Sequence, residues 1–312
     1  MDYVFGGENA FGLEVRIRRD DILRLRGQRE RESEREWKAK VDAHGVSLAR
    51  MDFLHCSGAA SLGCSERSDP LALRRLPMRP VAVIRFSPSE GPGRFGEWLD
   101  AQRLPWTLVA LDRGDPVPSD AEAWSGIGMM GGPMGANDAT PWRDPLAAFV
   151  RDAVDARVPL IGHCLGGQVM SRALGGTVTR APITEIGWLD VETTSDPAAA
   201  DWFGGQRRMN VFQWHYDAFT IPPGATRVLT NAQNANQGYV LDGRHVGFQC
   251  HVEMTRELVT TWCDMAPGEL PAASNGARQS RVDILRDLDA RVHALNALAD
   301  GIYARWSNGL KH

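Results

Sequence analysis

Residues 158–168 read VPLIGHCLGGQ, an apolar run that changes into a glycine-rich stretch around one cysteine. The residues from Val158 to Ile161 are apolar and partly β-branched, which is typical of a buried strand. The pattern Gly-x-Cys-x-Gly around Cys164 matches the sharp strand-to-helix turn that presents a nucleophile in hydrolases. The stretch therefore predicts a strand, a tight turn and a helix. The alternative is an ordinary turn that contains a small apolar residue.

Short apolar strands alternate with amphipathic helical stretches on both sides of this turn. The predicted strands are Val81–Phe86, Thr107–Leu111, Ile127–Met130, Val158–Ile161 and Val246–Cys250, and helical spacing covers Arg94–Gln102 and Pro145–Arg157. Repeated β-α-β units with short buried strands predict an α/β fold, an open and mostly parallel sheet with helices on both faces. Period-two alternation in Ile186–Thr194 and Met209–Trp214 predicts an antiparallel flap or edge.

Composition divides the chain into three parts. Residues 1–77 include a highly charged run from 16 to 38, which is typical of a solvated helix or of disorder. We expect them to be a non-catalytic extension, or the product of a start codon assigned too far upstream. Residues 78–265 carry the α/β pattern. Residues 266–312 begin as a linker and continue as one or two amphipathic helices over 281–306, which would pack on the domain or on another subunit.

Bulk composition narrows the classes of function. The 312 residues carry a net charge of −4 and 43% hydrophobic residues, which is ordinary for a globular protein and gives no support for nucleic-acid or membrane partners. No apolar run approaches the roughly 20 residues of a membrane span. Five cysteines without a disulfide-like spacing suggest a reducing compartment and one reactive thiol. We therefore expect a cytoplasmic protein.

Three motifs follow predicted strands, at the sheet edge where ligands bind in such folds. The glycines of GGPMG at 131–135 let backbone N–H groups face an oxyanion. Cys164 would lie at a helix N-terminus, whose partial positive charge favours a thiolate. In FQCHVE at 248–253, His251 and Glu253 lie on one side of an extended chain, where the carboxylate can orient the imidazole. A plain β-turn, a packed cysteine and a surface His/Glu pair are the respective alternatives.

Taken in order, these motifs resemble the class I, or triad, glutamine amidotransferases, and most of all their GMP-synthase-like stand-alone branch. The resemblance covers roughly residues 78–265 and is carried by GGPMG at 131–135, PLIGHCLGGQ at 159–168, ALGG at 173–176, EIGW at 185–188, QWHYD at 213–217 and FQCHVE at 248–253. It implies a flavodoxin-like α/β domain. One departure is Val252, where many members have proline. Its side chain points away from His251 and Glu253, so the chemistry is not put in doubt.

The resemblance implies a role for each residue of the reacting centre. Cys164 would be the nucleophile, His251 the general base and then the general acid, and Glu253 the group that orients His251. The backbone N–H groups of Gly132 and Leu165 would form the oxyanion hole, since the intervening Pro133 has no N–H to give. The implied chemistry needs no metal and no organic cofactor.

Three further residues match positions that border the glutamine pocket in relatives: Gln168, His215 and Asp217. A packed histidine and a solvent-facing aspartate stay open as alternatives for the last two. The sequence contains no P-loop motif GxxxxGK[ST] for a phosphorylated acceptor. A synthase that receives the ammonia would therefore be a separate chain.

The implied reaction releases ammonia from glutamine through a γ-glutamyl thioester, so the expected ligand is glutamine or another γ-glutamyl amide. Two alternatives stay open. A hydrolase of γ-glutamyl peptides or γ-glutamyl amines would use the same triad with a wider pocket. A glutaminase subunit would be silent until a separate synthase docks, and the helical segment 281–306 would supply an interface for it. A catalytically dead scaffold is disfavoured because all three triad positions are intact.

Overall fold

A computed structural model describes residues 78–311, and the expectation for residues 1–77 lies outside them. The described chain forms one nine-stranded sheet in the order β2-β1-β3-β4-β9-β8-β7-β5-β6. The strands are β1 Val81–Arg85, β2 Trp106–Ala110, β3 Gly126–Met129, β4 Leu160–His163, β5 Val178–Thr193, β6 Arg208–Phe219, β7 Thr226–Thr230, β8 Gly238–Leu241 and β9 His245–Phe248. The helices are α1 Gly93–Ala101, α2 Arg143–Asp155, α3 Leu165–Ala173, α4 Pro197–Phe203, α5 Arg256–Met265, α6 Arg281–Leu285 and α7 Leu288–Ser307. No helix of residues 78–311 is both long and apolar enough to cross a bilayer.

The parallel half of the sheet joins β2, β1, β3, β4 and β9. Alternate residues of β1 enter two separate cores, because successive side chains of a strand point to opposite faces. Val81 and Val83 pack with α1 and α7 on one face, whereas Ala82 and Ile84 pack with α2 and α3 on the other. The predicted α/β fold with helices on both faces is confirmed, and the five predicted parallel strands are present with their ends shifted by one or two residues.

The antiparallel half of the sheet begins where β8 pairs with β9 and continues through β7 to β5 and β6. Strands β5 and β6 form a long ribbon at the edge, with an irregularity in register between Arg180 and Glu185. The antiparallel edge that the period-two pattern predicts is confirmed, and both strands are longer than their alternating segments. Residues Trp214–Asp217 of the ribbon line the same cavity as Cys164.

The C-terminal segment folds back onto the domain as two helices. They are separated at Asp287, whose φ of 53° cannot continue an α-helix. Leu295, Ile302 and Trp306 of α7 are almost fully buried in the core shared with α1. Most of the apolar face of this segment is thus covered within residues 78–311, whereas Val282 of α6 is exposed.

Candidate active site

The turn after β4 holds Cys164 in a strained backbone conformation, with φ 46° and ψ −105°. Such values cost a non-glycine residue on the order of 1–3 kcal/mol and persist only when the surroundings enforce them. The flanking glycines let neighbouring backbone pack closely against the turn and hold this conformation. A Cβ on Gly162 would lie 2.6 Å from the carbonyl carbon of Gly166, and one on Gly166 would lie 2.4 Å from the Met129 carbonyl oxygen. The Gly-x-Cys-x-Gly pattern is therefore a requirement of close backbone packing.

Cys164 is the N-cap of α3 and only 6% exposed. Its sulfur lies 3.9 Å from the Trp214 carbonyl oxygen, and the Gln249 side-chain amide donates to it at 3.7 Å. The helix N-terminus and this amide donor both present partial positive charge to the sulfur. Beneath the turn, His163 is buried with Nδ1 3.2 Å from the Met129 carbonyl oxygen, where it supports the backbone.

His251 and Glu253 follow β9 and are joined by a hydrogen bond of 2.6 Å between Nδ1 and Oε1. The backbone N–H of His251 donates to the Phe212 carbonyl oxygen at 2.8 Å, which fixes the chain beside the β5–β6 ribbon. The Trp262 ring stands edge-on to the imidazole, with centroids 4.8 Å apart. Both side chains of the pair are buried, and Nε2 of His251 has no hydrogen-bond partner within residues 78–311 that meets standard geometry.

Charge within the site determines the protonation of this pair. Burial by itself lowers the pKa of His251, but the charges of Glu253 and Cys164 outweigh it and raise that pKa well above its ordinary value. The Cys164 side chain contributes to this rise. Burial raises the pKa of Glu253, and the positive imidazole beside it reverses the shift and lowers that pKa. These shifts favour an imidazolium at His251 beside a carboxylate at Glu253.

The backbone of Gly132 meets the elbow beside Cys164. A Cβ on Gly132 would lie 2.5 Å from Leu165 Cδ2, so the two segments are in direct contact. Neither the Gly132 nor the Leu165 N–H donates to another group of residues 78–311. That these two amides form an oxyanion hole stays a prediction.

Cys164 lies on the wall of a cavity of about 360 Å³. Gln168 and Asp217 line the same cavity, and Arg180 lies 3.8 Å from Asp217. Both N–H groups of the Gln168 amide are used, one on the Asp217 carbonyl at 3.1 Å and one on the Gln249 amide oxygen at 3.4 Å. The oxygen of the Gln168 amide is thus its free atom for a ligand.

His215 touches the cavity but is mainly a packed residue. Its Nδ1 lies 3.0 Å from the Asp217 carbonyl oxygen and its Nε2 lies 3.0 Å from a Glu185 carboxylate oxygen. Gln237 and Asn231 donate to the same carboxylate at 2.7 and 2.6 Å. Most contacts of His215 are thus those of a packed histidine. Together with Glu185, His215 holds the Asp217 segment in place beside the cavity.

Sequence reasoning missed four residues of the site. Gln249 lies in the same motif, FQCHVE, as His251 and Glu253, and its side-chain amide contacts the Cys164 sulfur. Glu90 lies in the loop after β1, at the sheet edge where ligands bind, and that position was the available signal. Trp214 and Glu269 line the cavity as well, and Glu269 follows the segment that the sequence assigned to the domain. Among residues 78–311, no three His, Cys, Asp or Glu side chains cluster as metal ligands.

The sequence is similar to several curated proteins. The glutamine amidotransferase-like protein YfeJ of Salmonella typhimurium is 31% identical over 180 residues, which are 54% of this chain and 74% of that protein. The GMP synthase (glutamine-hydrolyzing) of Aeropyrum pernix is 30% identical over 161 residues, which are 49% of this chain and 29% of the synthase. The chain thus spans roughly a third of the GMP synthases that it matches.

Solved structures of glutamine amidotransferases are also similar to this chain. The crystal structure of a glutamine amidotransferase from Methylobacillus flagellatus is 48% identical, covers 75% of this chain and 96% of that chain, and has a TM-score of 0.73. A glutamine amidotransferase from Thermotoga maritima is 27% identical with a TM-score of 0.65, covering 73% of this chain and 97% of that one. The family model for class-I glutamine amidotransferases matches residues 102–259, which include Cys164, His251 and Glu253. The chain belongs to the class-I glutamine amidotransferase family.

Proposed function

We propose that this protein hydrolyses the side-chain amide of glutamine with a Cys164–His251–Glu253 triad, through a γ-glutamyl thioester. One observation carries the proposal: Cys164 lies on a strained turn, and the neighbouring segment Gly131–Gly132 contacts both Leu165 and His251, whose Nδ1 is held by the buried Glu253 carboxylate. This arrangement suits a nucleophile, its base and the group that orients the base. Membership of the family supports the same reading.

In the first half of the reaction the Cys164 thiolate attacks the amide carbon and forms the S–C bond. The carbonyl oxygen becomes an oxyanion and accepts hydrogen bonds from the N–H groups of Gly132 and Leu165. Each such donor is worth about 2.7–4 kcal/mol of barrier. The tetrahedral intermediate collapses as the C–N bond breaks, and the His251 imidazolium gives its proton to the departing nitrogen. Ammonia leaves and the thioester remains.

In the second half water replaces ammonia at the same position. His251, now neutral, takes a proton from the water as its oxygen attacks the thioester carbon. The S–C bond then breaks, so that glutamate is released and the Cys164 thiolate and the His251 imidazolium are restored. Glu253 keeps the proton of Nδ1 in place throughout, which fixes the tautomer and the ring orientation that both steps need.

The amino-acid end of the substrate would lie toward Asp217, Arg180 and Gln168. The α-ammonium group suits the Asp217 carboxylate and the free oxygen of the Gln168 amide, and the α-carboxylate suits Arg180. This orientation leaves the γ-amide over Cys164. A hydrolase of γ-glutamyl amines is the second candidate, and the carboxyl group of Glu90 beside His251 favours it.

The ammonia acceptor is part of the proposal too. Curated relatives include whole GMP synthases, of which this chain matches about a third. A synthase that uses the ammonia would be a separate polypeptide, and the polar side of α7 would be available to it.

The deciding experiment measures ammonia release from glutamine by the purified full chain, with Cys164→Ala and a control variant, Cys263→Ala. Cys263 is another buried free cysteine and lies in α5. We expect activity in the wild type and in the control, none in Cys164→Ala, and a trapped γ-glutamyl adduct on Cys164 by mass spectrometry. Undiminished activity in Cys164→Ala would rule out the triad. A wild type that is inactive alone and active with a synthase would identify the silent-subunit alternative.

A further inference from the structure

Glu90 places a carboxyl group at the reacting edge of His251. It is the acidic residue of the loop 86–92, between β1 and α1, and it lines the cavity that contains Cys164. A Cβ built on Gly131 would lie 2.1 Å from Glu90 Oε2 and 2.8 Å from His251 Cε1, so these two side chains are neighbours. Oε2 is enclosed, and no group of residues 78–311 hydrogen-bonds to it.

The carboxyl group of Glu90 has no counter-charge of its own. Within the described range 78–311, no arginine or lysine forms an ion pair with it. Burial raises the pKa of Glu90 to about 7; the charge of His251 opposes the rise and that of Glu253 adds to it. An enclosed carboxylate without a partner is costly. A cation that enters the cavity would remove that cost, because it would pair with the carboxylate.

Glu90 lies on the side of the cavity where the leaving group would bind, and not on the side of the glutamyl end. His251 protonates the departing nitrogen, so this nitrogen and its substituent must lie on the His251 side of Cys164. Arg180 is the one arginine or lysine on the cavity wall formed by residues 78–311, and it pairs with Asp217 on the opposite side. Arg180 also lies over the Tyr216 ring, 4.6 Å from its centroid, so among the acids of residues 78–311 it is Glu90 that lies beside His251 without an arginine or lysine partner.

Aromatic rings complete this side of the cavity. The Trp262 ring stands edge-on to His251, and the Trp214 ring lies perpendicular to Trp262 with centroids 6.0 Å apart. The Glu269 carboxylate accepts hydrogen bonds from the Trp214 indole N–H at 2.7 Å and from the Tyr216 hydroxyl, and the Arg278 guanidinium donates to the backbone carbonyl oxygen of Glu269. Indole faces attract ammonium groups, and carboxylates bind them directly. This wall matches an alkyl chain that ends in a positive charge.

We propose, on the basis of the function proposed above, that Glu90 and the Trp262 wall form a leaving-group subsite for γ-glutamyl amides whose amine carries a second, distal ammonium group. Glutamine itself has ten non-hydrogen atoms, and its leaving group is only ammonia. The cavity of about 360 Å³ falls within the range of pockets that enclose larger small molecules. The physiological substrate class is then a mono-γ-glutamylated diamine or polyamine, which is hydrolysed to glutamate and the free amine.

The test compares kcat/KM for three γ-glutamyl amides of matched length: the monoamide of putrescine, the amide of n-pentylamine and the amide of γ-aminobutyrate. Their distal groups are positive, neutral and negative. We expect the wild type to prefer them in that order. In Glu90→Gln the ratio of the positive to the neutral substrate should fall about tenfold or more, because a hydrogen bond to a charged group is worth more than one factor of ten. The matched control is Glu257→Gln, an exposed acid of α5, in which the ratio should stay as in the wild type.

The outcomes separate the subsite from the proposed function. Hydrolysis of neither glutamine nor any of the three amides would refute the function. Cys164-dependent hydrolysis without a preference for the positive substrate, or with the same ratio in Glu90→Gln, would overturn the subsite and leave the function standing. If Glu90→Gln does not fold, Glu90→Asp and the wild-type order of the three amides decide the question.

Discussion

Replacing Cys164 by glycine should stabilise the protein relative to replacing it by alanine. Both substitutions remove the sulfur, so their difference reports the backbone alone. The φ of 46° and ψ of −105° at this position lie outside the regions open to a residue with a Cβ. Glycine adopts them freely, and the closely packed glycines at 162 and 166 keep the turn from relaxing when the side chain changes.

The magnitude follows from two opposing contributions. Relief of the strained conformation favours glycine by about 1–3 kcal/mol. The greater freedom of glycine in the unfolded chain disfavours it by roughly 0.5–1 kcal/mol. Position 164 is also the N-cap of α3, where glycine is preferred to alanine. The free energy of unfolding of Cys164→Gly should therefore exceed that of Cys164→Ala by about 1 kcal/mol.

Equilibrium unfolding in urea measures this difference, provided that the dependence on denaturant is the same in both variants. The control is the same pair of substitutions at Cys263, inside α5, where glycine should be less stable than alanine by about 1 kcal/mol. Opposite signs at the two positions are the expected result. If Cys164→Ala is the more stable of its pair, the turn stores no strain and the reasoning is wrong.

Three further predictions concern the neighbours of the sulfur. Gly131→Ala should lower kcat at least about tenfold, since its Cβ would lie 2.1 Å from Glu90 Oε2 and 2.8 Å from His251 Cε1 and would displace one of them; an unchanged kcat would contradict this contact. Gln249→Leu should lower kcat/KM for glutamine, because the Cys164 sulfur loses the amide donor at 3.7 Å, and an unchanged kcat/KM would exclude that role. Glu90→Gln should gain stability over the wild type as the pH rises. The raised pKa of Glu90, about 7 against an ordinary 4.5, means that the native state binds the proton more tightly. Ionisation above pH 7 therefore destabilises the wild type by roughly 1–3 kcal/mol, an effect absent below about pH 4.5, and parallel stability curves would exclude it.

Much of the architecture was accessible from the sequence because it depends on local patterns. Buried strands of four or five apolar residues and helices with one apolar face predicted the parallel sheet. The glycine spacing around Cys164 predicted the turn. Only glycine fits at position 166, because a Cβ there would lie 2.4 Å from the Met129 carbonyl oxygen. His251 and Glu253 could be paired because two residues of extended chain bring them to one side.

Other parts of the site depend on contacts between distant segments, which no local pattern encodes. Glu90 is an ordinary loop acid until the fold brings it to His251, and Glu269 reaches the cavity only because its segment turns back over the β5–β6 ribbon. The contact between Gln249 and Cys164 joins residues 85 positions apart. The fate of the C-terminal helices was open for the same reason, because an amphipathic pattern does not say what covers it.

The proposed catalytic residues and the proposed leaving-group residues lie in different segments of the chain. The stretch that matches the family model, 102–259, contains the sulfur, the imidazole and the carboxylate, whereas Glu90 precedes it and Glu269 follows it. These two flanks contact each other: Arg94 pairs with Asp300, and the Phe95 ring meets the Tyr303 ring edge-on, with centroids 5.0 Å apart. Under the proposed leaving-group subsite, substitutions in the two flanking segments would change which amine is accepted, while the segment that contains Cys164, His251 and Glu253 stays as it is.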